Sequence, residues 1–165
     1  MTIVEQFQAH RTLTVALGAL LLLVTVVGVF TSVKKISPAG WGWHGPVNQS
    51  GGVAIRGYDP VALAAGEVSL GSVAHELTLD GTTWRFTSAA HRTTFEADPT
   101  RYAPAFGGFC AFAMSKGFTA DSDPTAHTVR DGTLYLFDSE KMKSEWVAAL
   151  DAGAIEAGQR NWATH

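Results

Sequence analysis

The chain has 165 residues, 46% of them hydrophobic and 16% charged, with a formal net charge of −3. That balance supplies no basic stripe or aromatic–basic interleaving for nucleic acid. A single cysteine, Cys110, excludes an intramolecular disulfide and any zinc site built from cysteines alone within one chain.

Residues 1–12 read as a short amino-terminal tail. The stretch 13–33 carries no charged side chain and is rich in Leu, Val and Ala. As a helix it spans about 31 Å at roughly 1.5 Å per residue, close to the ~30 Å hydrocarbon core of a bilayer. No small-x-small cleavage pattern closes it before Lys34 and Lys35. An uncleaved transmembrane anchor is therefore expected, with a cleaved signal peptide as the rival. A bare Lys/Arg count favours a cytoplasmic domain, by a single charge. Trp41 and Trp43 suit the headgroup region beyond the span.

Residues 34–52 hold Pro38, Gly40, Gly42, Gly45, Pro46, Gly51 and Gly52. Such a run resists regular structure and reads as a linker, with His44 as an exposed side chain on it. The folded domain is expected over 53–165. Val53-Ala54-Ile55 is a short strand candidate before Gly57-Tyr58-Asp59-Pro60, where Asp59 suits an N-cap and Pro60 the first helical position.

The segments 74–79 and 82–87 form a hairpin about Asp80-Gly81. Its two-residue loop sets Leu79 against Thr82, Leu77 against Trp84 and His75 against Phe86, so His75 points to the apolar face. Ser88 caps a helix that ends before Asp98-Pro99, and on it His91 and Phe95 share a face. Cys110 and Met114 share a direction whether residues 109–114 form a strand or a helical turn. A second hairpin about Asp131-Gly132 sets Val129 against Leu134 and His127 against Leu136. Ser139 caps a helix with Met142, Trp146, Ala149 and Leu150 on one stripe, Gly153 is its stop, and 155–162 adds a last short helix whose Trp162 closes the core. Two Asp-Gly hairpins alone do not amount to an internal repeat.

Ile55-Arg56-Gly57-Tyr58-Asp59-Pro60-Val61-Ala62, Trp84-Arg85-Phe86-Thr87-Ser88, the run 95–104, Gly107-Gly108-Phe109-Cys110-Ala111 and Gly132-Thr133-Leu134-Tyr135-Leu136 together resemble the YHS domain family. These modules are related to treble-clef metal-binding fingers, and the resemblance covers about residues 53–162. It implies a small α+β domain of β-hairpins packed with short helices. YHS-like proteins with such a leader are generally exported, which implies a single-pass membrane protein with its domain in the periplasm or another extracytoplasmic space. The metal-binding members resemble Asp-Pro-Val-Cys near the start and aromatic-Cys-Ser-x-x-Cys before a helix. Here Ala62, Thr87 and His91 stand where those cysteines would fall. The chain looks instead like the longer, exported branch with Gly-Gly-aromatic-Cys-Ala.

A metal site would draw on Cys110, His91 and His75, with Met114 or His127 as further ligands, and imidazole with thiolate suits copper or zinc. Tyr58 and Asp59 stand beside it, Asp59 as an acceptor orienting a histidine. The competing reading makes Cys110 a small core side chain and the histidines partners of backbone carbonyls. A catalytic Cys110 with a histidine base has no recognisable third member or oxyanion donors. The expected function is non-catalytic metal binding or handling by a membrane-anchored module. Its alternative is a metal-free accessory subunit of a membrane protein complex, with the lipid bilayer as partner through residues 13–33.

Overall fold

The computed structural model describes residues 3–165, with side chains from Thr14 onward. It divides into two units, Met1–Lys34 and Lys35–His165. The first is one helix, α1 (Ile3–Val33), so the expected tail is helical from Ile3; Met1, Thr2 and the side chains before Thr14 lie outside the described residues. Within α1, Thr14–Val33 is long and apolar enough to cross a membrane or to serve as a signal sequence, and none of its most apolar window is buried in the protein.

The second unit is mixed α+β. It opens with β1 (Ser37–Pro38), β2 (Gln49–Ser50) and β3 (Val53–Ala54), then α2 (Pro60–Ala64), β4 (Ser72–Leu79), β5 (Thr82–Phe86), α3 (Ala89–Ala97) and α4 (Pro99–Tyr102). It continues through α5 (Ala111–Ser115), β6 (Phe118–Thr119), β7 (Asp123–Arg130), β8 (Thr133–Phe137), α6 (Glu140–Ala148) and α7 (Ala154–Trp162). The strands form a four-stranded sheet ordered β2-β3-β5-β4 and two ribbons, β1-β6 and β7-β8.

The expected linker is part of this fold. From Lys35 onward it is hydrogen-bonded into the domain: β1 pairs with β6, and buried Asn48 donates to the Gly108 carbonyl and to Asp121. Lys35 Nζ reaches the Asn48 side chain and the Gln49 carbonyl. Glycine and proline lower local propensity for helix and strand, but such backbone still orders when its polar groups find partners on a neighbouring element.

An internal repeat, not expected from the sequence, organises residues 55–148. Its elements recur 51 positions on: α2 at α5 (60 to 111), β4 at β7 (72 to 123), β5 at β8 (82 to 133) and α3 at α6 (89 to 140). Fine detail recurs with them. Ser88 and Ser139 cap α3 and α6 through the N–H groups of His91 and Met142. Left-handed φ angles fall at 55–57 and again at 106–108, at Gly66 and Gly117, and through both Asp-Gly turns. Each hairpin also slips register at the same place, between Ser72 and Glu76 in one and between Asp123 and His127 in the other.

That slip corrects the placement of His75. The pairs Leu79–Thr82 and Leu77–Trp84 form as expected, but beyond the irregularity Phe86 faces Ser72. A bulge inserts unpaired residues into one strand and re-aims the side chains past it. In the second hairpin His127–Leu136 and Val129–Leu134 pair as expected, because both lie on the turn side of the slip.

Two cores follow the two repeats. The first gathers Ile55, Leu63, Trp84, Phe86 and Phe95 with Leu134 and Leu136; the second gathers Phe106, Cys110, Met114, Tyr135, Phe137 and Trp146. Strand β8 thus divides its side chains by alternation, even positions to the first core and odd positions to the second. Burial on both faces explains its almost continuous apolar sequence, Leu-Tyr-Leu-Phe.

Candidate functional site

The best-organised polar group in the domain is Asp59 with Thr87 and His91. Asp59 is fully buried at the N-cap of α2, ahead of Pro60. Its Oδ1 accepts the Val61 and Ala62 N–H groups at 2.8 and 3.1 Å, satisfying donors that the helix start leaves open. Its Oδ2 accepts the Thr87 N–H and the Thr87 hydroxyl, both at 2.8 Å, and lies 2.7 Å from His91 Nδ1. The Thr87 hydroxyl is itself 3.1 Å from His91 Nδ1.

Burial pushes the Asp59 carboxyl up, but the Thr87 N–H, the His91 ring, the Thr87 hydroxyl and the Ala62 N–H outweigh it. The net result holds the carboxyl below its ordinary value. A carboxylate at Oδ2 favours the tautomer with the proton on Nδ1, which orients the imidazole and leaves Nε2 for an outside partner. His91 is a third exposed, so that nitrogen sits on a ring open to solvent. The histidine that lies against Asp59 is thus His91.

Cys110 occupies the matching place in the second repeat (59 to 110), at the N-cap of α5. Met142 stands in place of His91 and Asp138 in place of Thr87. The Cys110 side chain is buried and makes no capping hydrogen bond to α5. Burial pushes its thiol up; the N–H groups of Ala113, Asp138 and Phe112 oppose this, and the Asp138 charge adds to the upward push. A thiol so placed is a weak nucleophile and a reluctant metal ligand.

The five expected ligands are not drawn into one cluster. Cys110 and Met114 both lie in the second core, where the residues after Cys110 form a helical turn. His91 is committed to Asp59 in the first repeat. His75 is half-buried within the irregular part of β4, and His127 Nδ1 lies 3.1 Å from the Pro124 carbonyl. Tyr58 is half-buried and packs against the first core. Among the described residues no group of three or more His, Cys, Asp and Glu side chains is arranged to hold a metal ion. The donors present therefore do not fit one shared copper or zinc centre. Sequence reasoning gave no role to Thr87, which completes the Asp59–His91 group; its place with His91 at two of the positions where cysteines would fall was the available signal.

A second polar cluster joins the start of the domain to both repeats. Arg56 Nη2 and Asp121 Oδ2 are 2.8 Å apart, and Lys35 Nζ lies 3.6 Å from Asp121 Oδ1. Burial raises the Asp121 carboxyl, but Arg56, Asn48 and Lys35 together hold it below its ordinary value. This group fastens backbone and carries no free donor set of its own.

Comparison with known proteins finds no matching family model, no similar curated protein and no similar solved structure.

Proposed function

We propose that this chain is a membrane-anchored, non-catalytic accessory module, with a YHS-like domain displayed on the extracytoplasmic side. The observation that carries the reading is the span Thr14–Val33, apolar along its length and unburied by the rest of the protein. An apolar face of that size, left in water, would drive aggregation or association, and a bilayer covers it. The folded domain begins at Lys35, directly after Lys34. Such a chain works as a tethered binding surface for a membrane protein complex.

The test is alkaline extraction of membranes from cells expressing the full chain, combined with protease accessibility of the domain in intact and opened cells. Retention in the pellet, with the domain digested once the outer barrier is opened, is the expected result. Release into the supernatant as a shortened, cleaved chain overturns the anchor.

A second reading is favoured by the Asp59–His91 contact. A partly exposed imidazole held by a buried carboxylate resembles the outer half of a carboxylate–histidine–metal arrangement. On this reading His91 contributes one ligand to copper or zinc, the others coming from solvent or a partner. Titration of the full chain with Zn²⁺ and Cu²⁺, compared with His91→Ala and Cys110→Ala, tests it. Binding lost in His91→Ala and retained in Cys110→Ala is expected; equal binding by all three removes His91 as the ligand.

A further inference from the structure

We infer that the loop 39–45 is a membrane-interface contact that seats the domain against the bilayer through Trp41 and Trp43. The inference rests on the anchored reading above and adds to it which surface of the domain faces the lipid. The loop is closed at its base. The Ala39 N–H donates to the Gly117 carbonyl, and the His165 ring lies 3.0 Å from the Ala39 carbonyl and 3.4 Å from that of Gly45. His165 is in turn stacked on Trp162, with ring centroids 4.5 Å apart. A short surface loop whose ends are held together in this way displays its tip as a fixed feature.

What the tip displays is two indoles. Trp41 is 59% exposed and Trp43 65%, although their rings lie 4.6 Å apart. The other tryptophans are treated otherwise: Trp84 and Trp146 are buried, and Trp162 is half-buried against Phe106 and Phe109. Beside the loop, on the ribbon that leads into it, Phe118 pairs with Pro38 and is 45% exposed. Solvent gains nothing from two adjacent exposed indoles, whereas the headgroup layer accommodates both the apolar ring body and the N–H.

The covalent chain selects lipid as the occupant. The apolar span ends at Val33, and Lys35 is already fixed to Asn48 and Gln49. Two residues of chain span at most about 7 Å, within the depth of one headgroup layer. The domain is therefore held at the surface by its own tether. The exposed aromatics belong to the segment that leaves that tether, not to the far end of the sequence.

The experiment reconstitutes the full chain into phosphatidylcholine vesicles, with and without acyl chains brominated near the headgroup, and reads tryptophan emission. No tryptophan lies before residue 41, so all emission reports on the domain. Wild type is expected to lose emission in the brominated vesicles, and Trp41→Ser/Trp43→Ser to lose that quenchable fraction with its thermal transition unchanged. Should wild type resist alkaline extraction yet show no quenching, the inference fails while the anchor stands, and the indoles are left to a protein partner. Equal quenching of wild type and the double variant also overturns it, since Trp162 would then be the lipid-facing ring. Failure of wild type to stay in the vesicles overturns the anchored reading itself.

Discussion

The two repeats solve one backbone problem with different chemistry. In the first, the N-cap position before the short helix holds a buried carboxylate, Asp59, with five donors within 3.1 Å or less. In the second the same position holds Cys110, whose sulfur makes no capping bond and whose neighbour Met114 is fully buried. One repeat holds a polar group that needs its partners, and the other holds a sulfur-lined core. The difference teaches that the two repeats share backbone course, not site chemistry. A functional residue in one half therefore cannot be carried to its counterpart.

The largest expected effect probes the left-handed turn that precedes each cap. Arg56 adopts φ 55° there in the first repeat, and Gly107 adopts φ 60° in the second. At Arg56 the side chain is free to leave the backbone and reach Asp121. At Gly107 an added Cβ would meet the Pro46 carbonyl oxygen at 2.0 Å and Trp162 at 3.1 Å. Gly107→Ala therefore combines strain with a backbone clash and is expected to cost about 4 kcal/mol or more, read by denaturant unfolding. Arg56→Ala, at the equivalent position, loses a half-exposed ion pair and is expected to cost about 1 kcal/mol. Equal losses at the two positions would break the comparison at its root.

Next come the caps themselves. Asp59→Ala leaves the Val61, Ala62 and Thr87 N–H groups without their acceptor in a buried site, an expected loss of about 3 kcal/mol. Cys110→Ala removes one small side chain that makes no capping bond, an expected loss of about 1 kcal/mol. Chemical denaturation of both variants reads the difference directly. A Cys110→Ala loss as large as that of Asp59→Ala would mean that the sulfur is bonded more strongly than its position indicates.

The pH dependence of stability separates the halves without large perturbation. Asp59 is held below its ordinary range, so its stabilisation is present above the unfolded-state value of about 4 and is lost as pH falls through the folded one. Cys110 is raised, so its effect has the opposite sense. Stability is intact below the unfolded-state value of about 8.5 and declines as pH rises toward the folded one. Asp59→Asn should flatten the acid limb of a stability–pH curve and leave the alkaline limb alone; Cys110→Ala should do the reverse. Slow alkylation of native Cys110, with full reactivity in denaturant, is the matching chemical readout.

Much of the local structure was legible because single residues carry it. Asp80-Gly81, Asp131-Gly132, Ser88 and Ser139 each specify a turn or a cap through their own chemistry, and both hairpins and helices follow. The repeat was illegible because its counterparts coincide mainly at such punctuation. Gly57 and Gly108, Gly66 and Gly117, and Ser88 and Ser139 match, while Asp59 meets Cys110 and His91 meets Met142. The register slip before Glu76 was also hidden, since a bulge leaves no fixed mark in a strand of ordinary composition. Incorporation of residues 35–52 depends on long-range donors such as Asn48, to which a reading of local propensity is blind. The expected ligands lie apart among the described residues for a related reason. Apolar alternation says which way His127 points on its own element, but the slip in β4 re-aims His75 and β8 separates two cores.

The smallest expected effect tests whether the two cores are energetically interchangeable. Phe95 packs on Trp84 and Phe86 at 4.9 and 5.2 Å; Trp146 packs on Tyr135 and Phe137 at 4.8 and 5.3 Å. The three-ring arrangement is the same, but the Trp146 indole N–H is buried with no hydrogen-bond partner. Trp146→Phe removes that unpartnered donor, a gain of about 1–3 kcal/mol, and opens a void whose cost is of similar size at roughly 24 cal/mol per Å³. The net change is expected to stay within about 1 kcal/mol. The reciprocal Phe95→Trp forces a larger ring and a new donor into a filled site, and should cost about 2 kcal/mol. Thermal unfolding of the pair reads the asymmetry. If Trp146→Phe cost more than Phe95→Trp, the indole would be anchored by its size alone, and the second core would owe its tightness to a residue that the first repeat does not need.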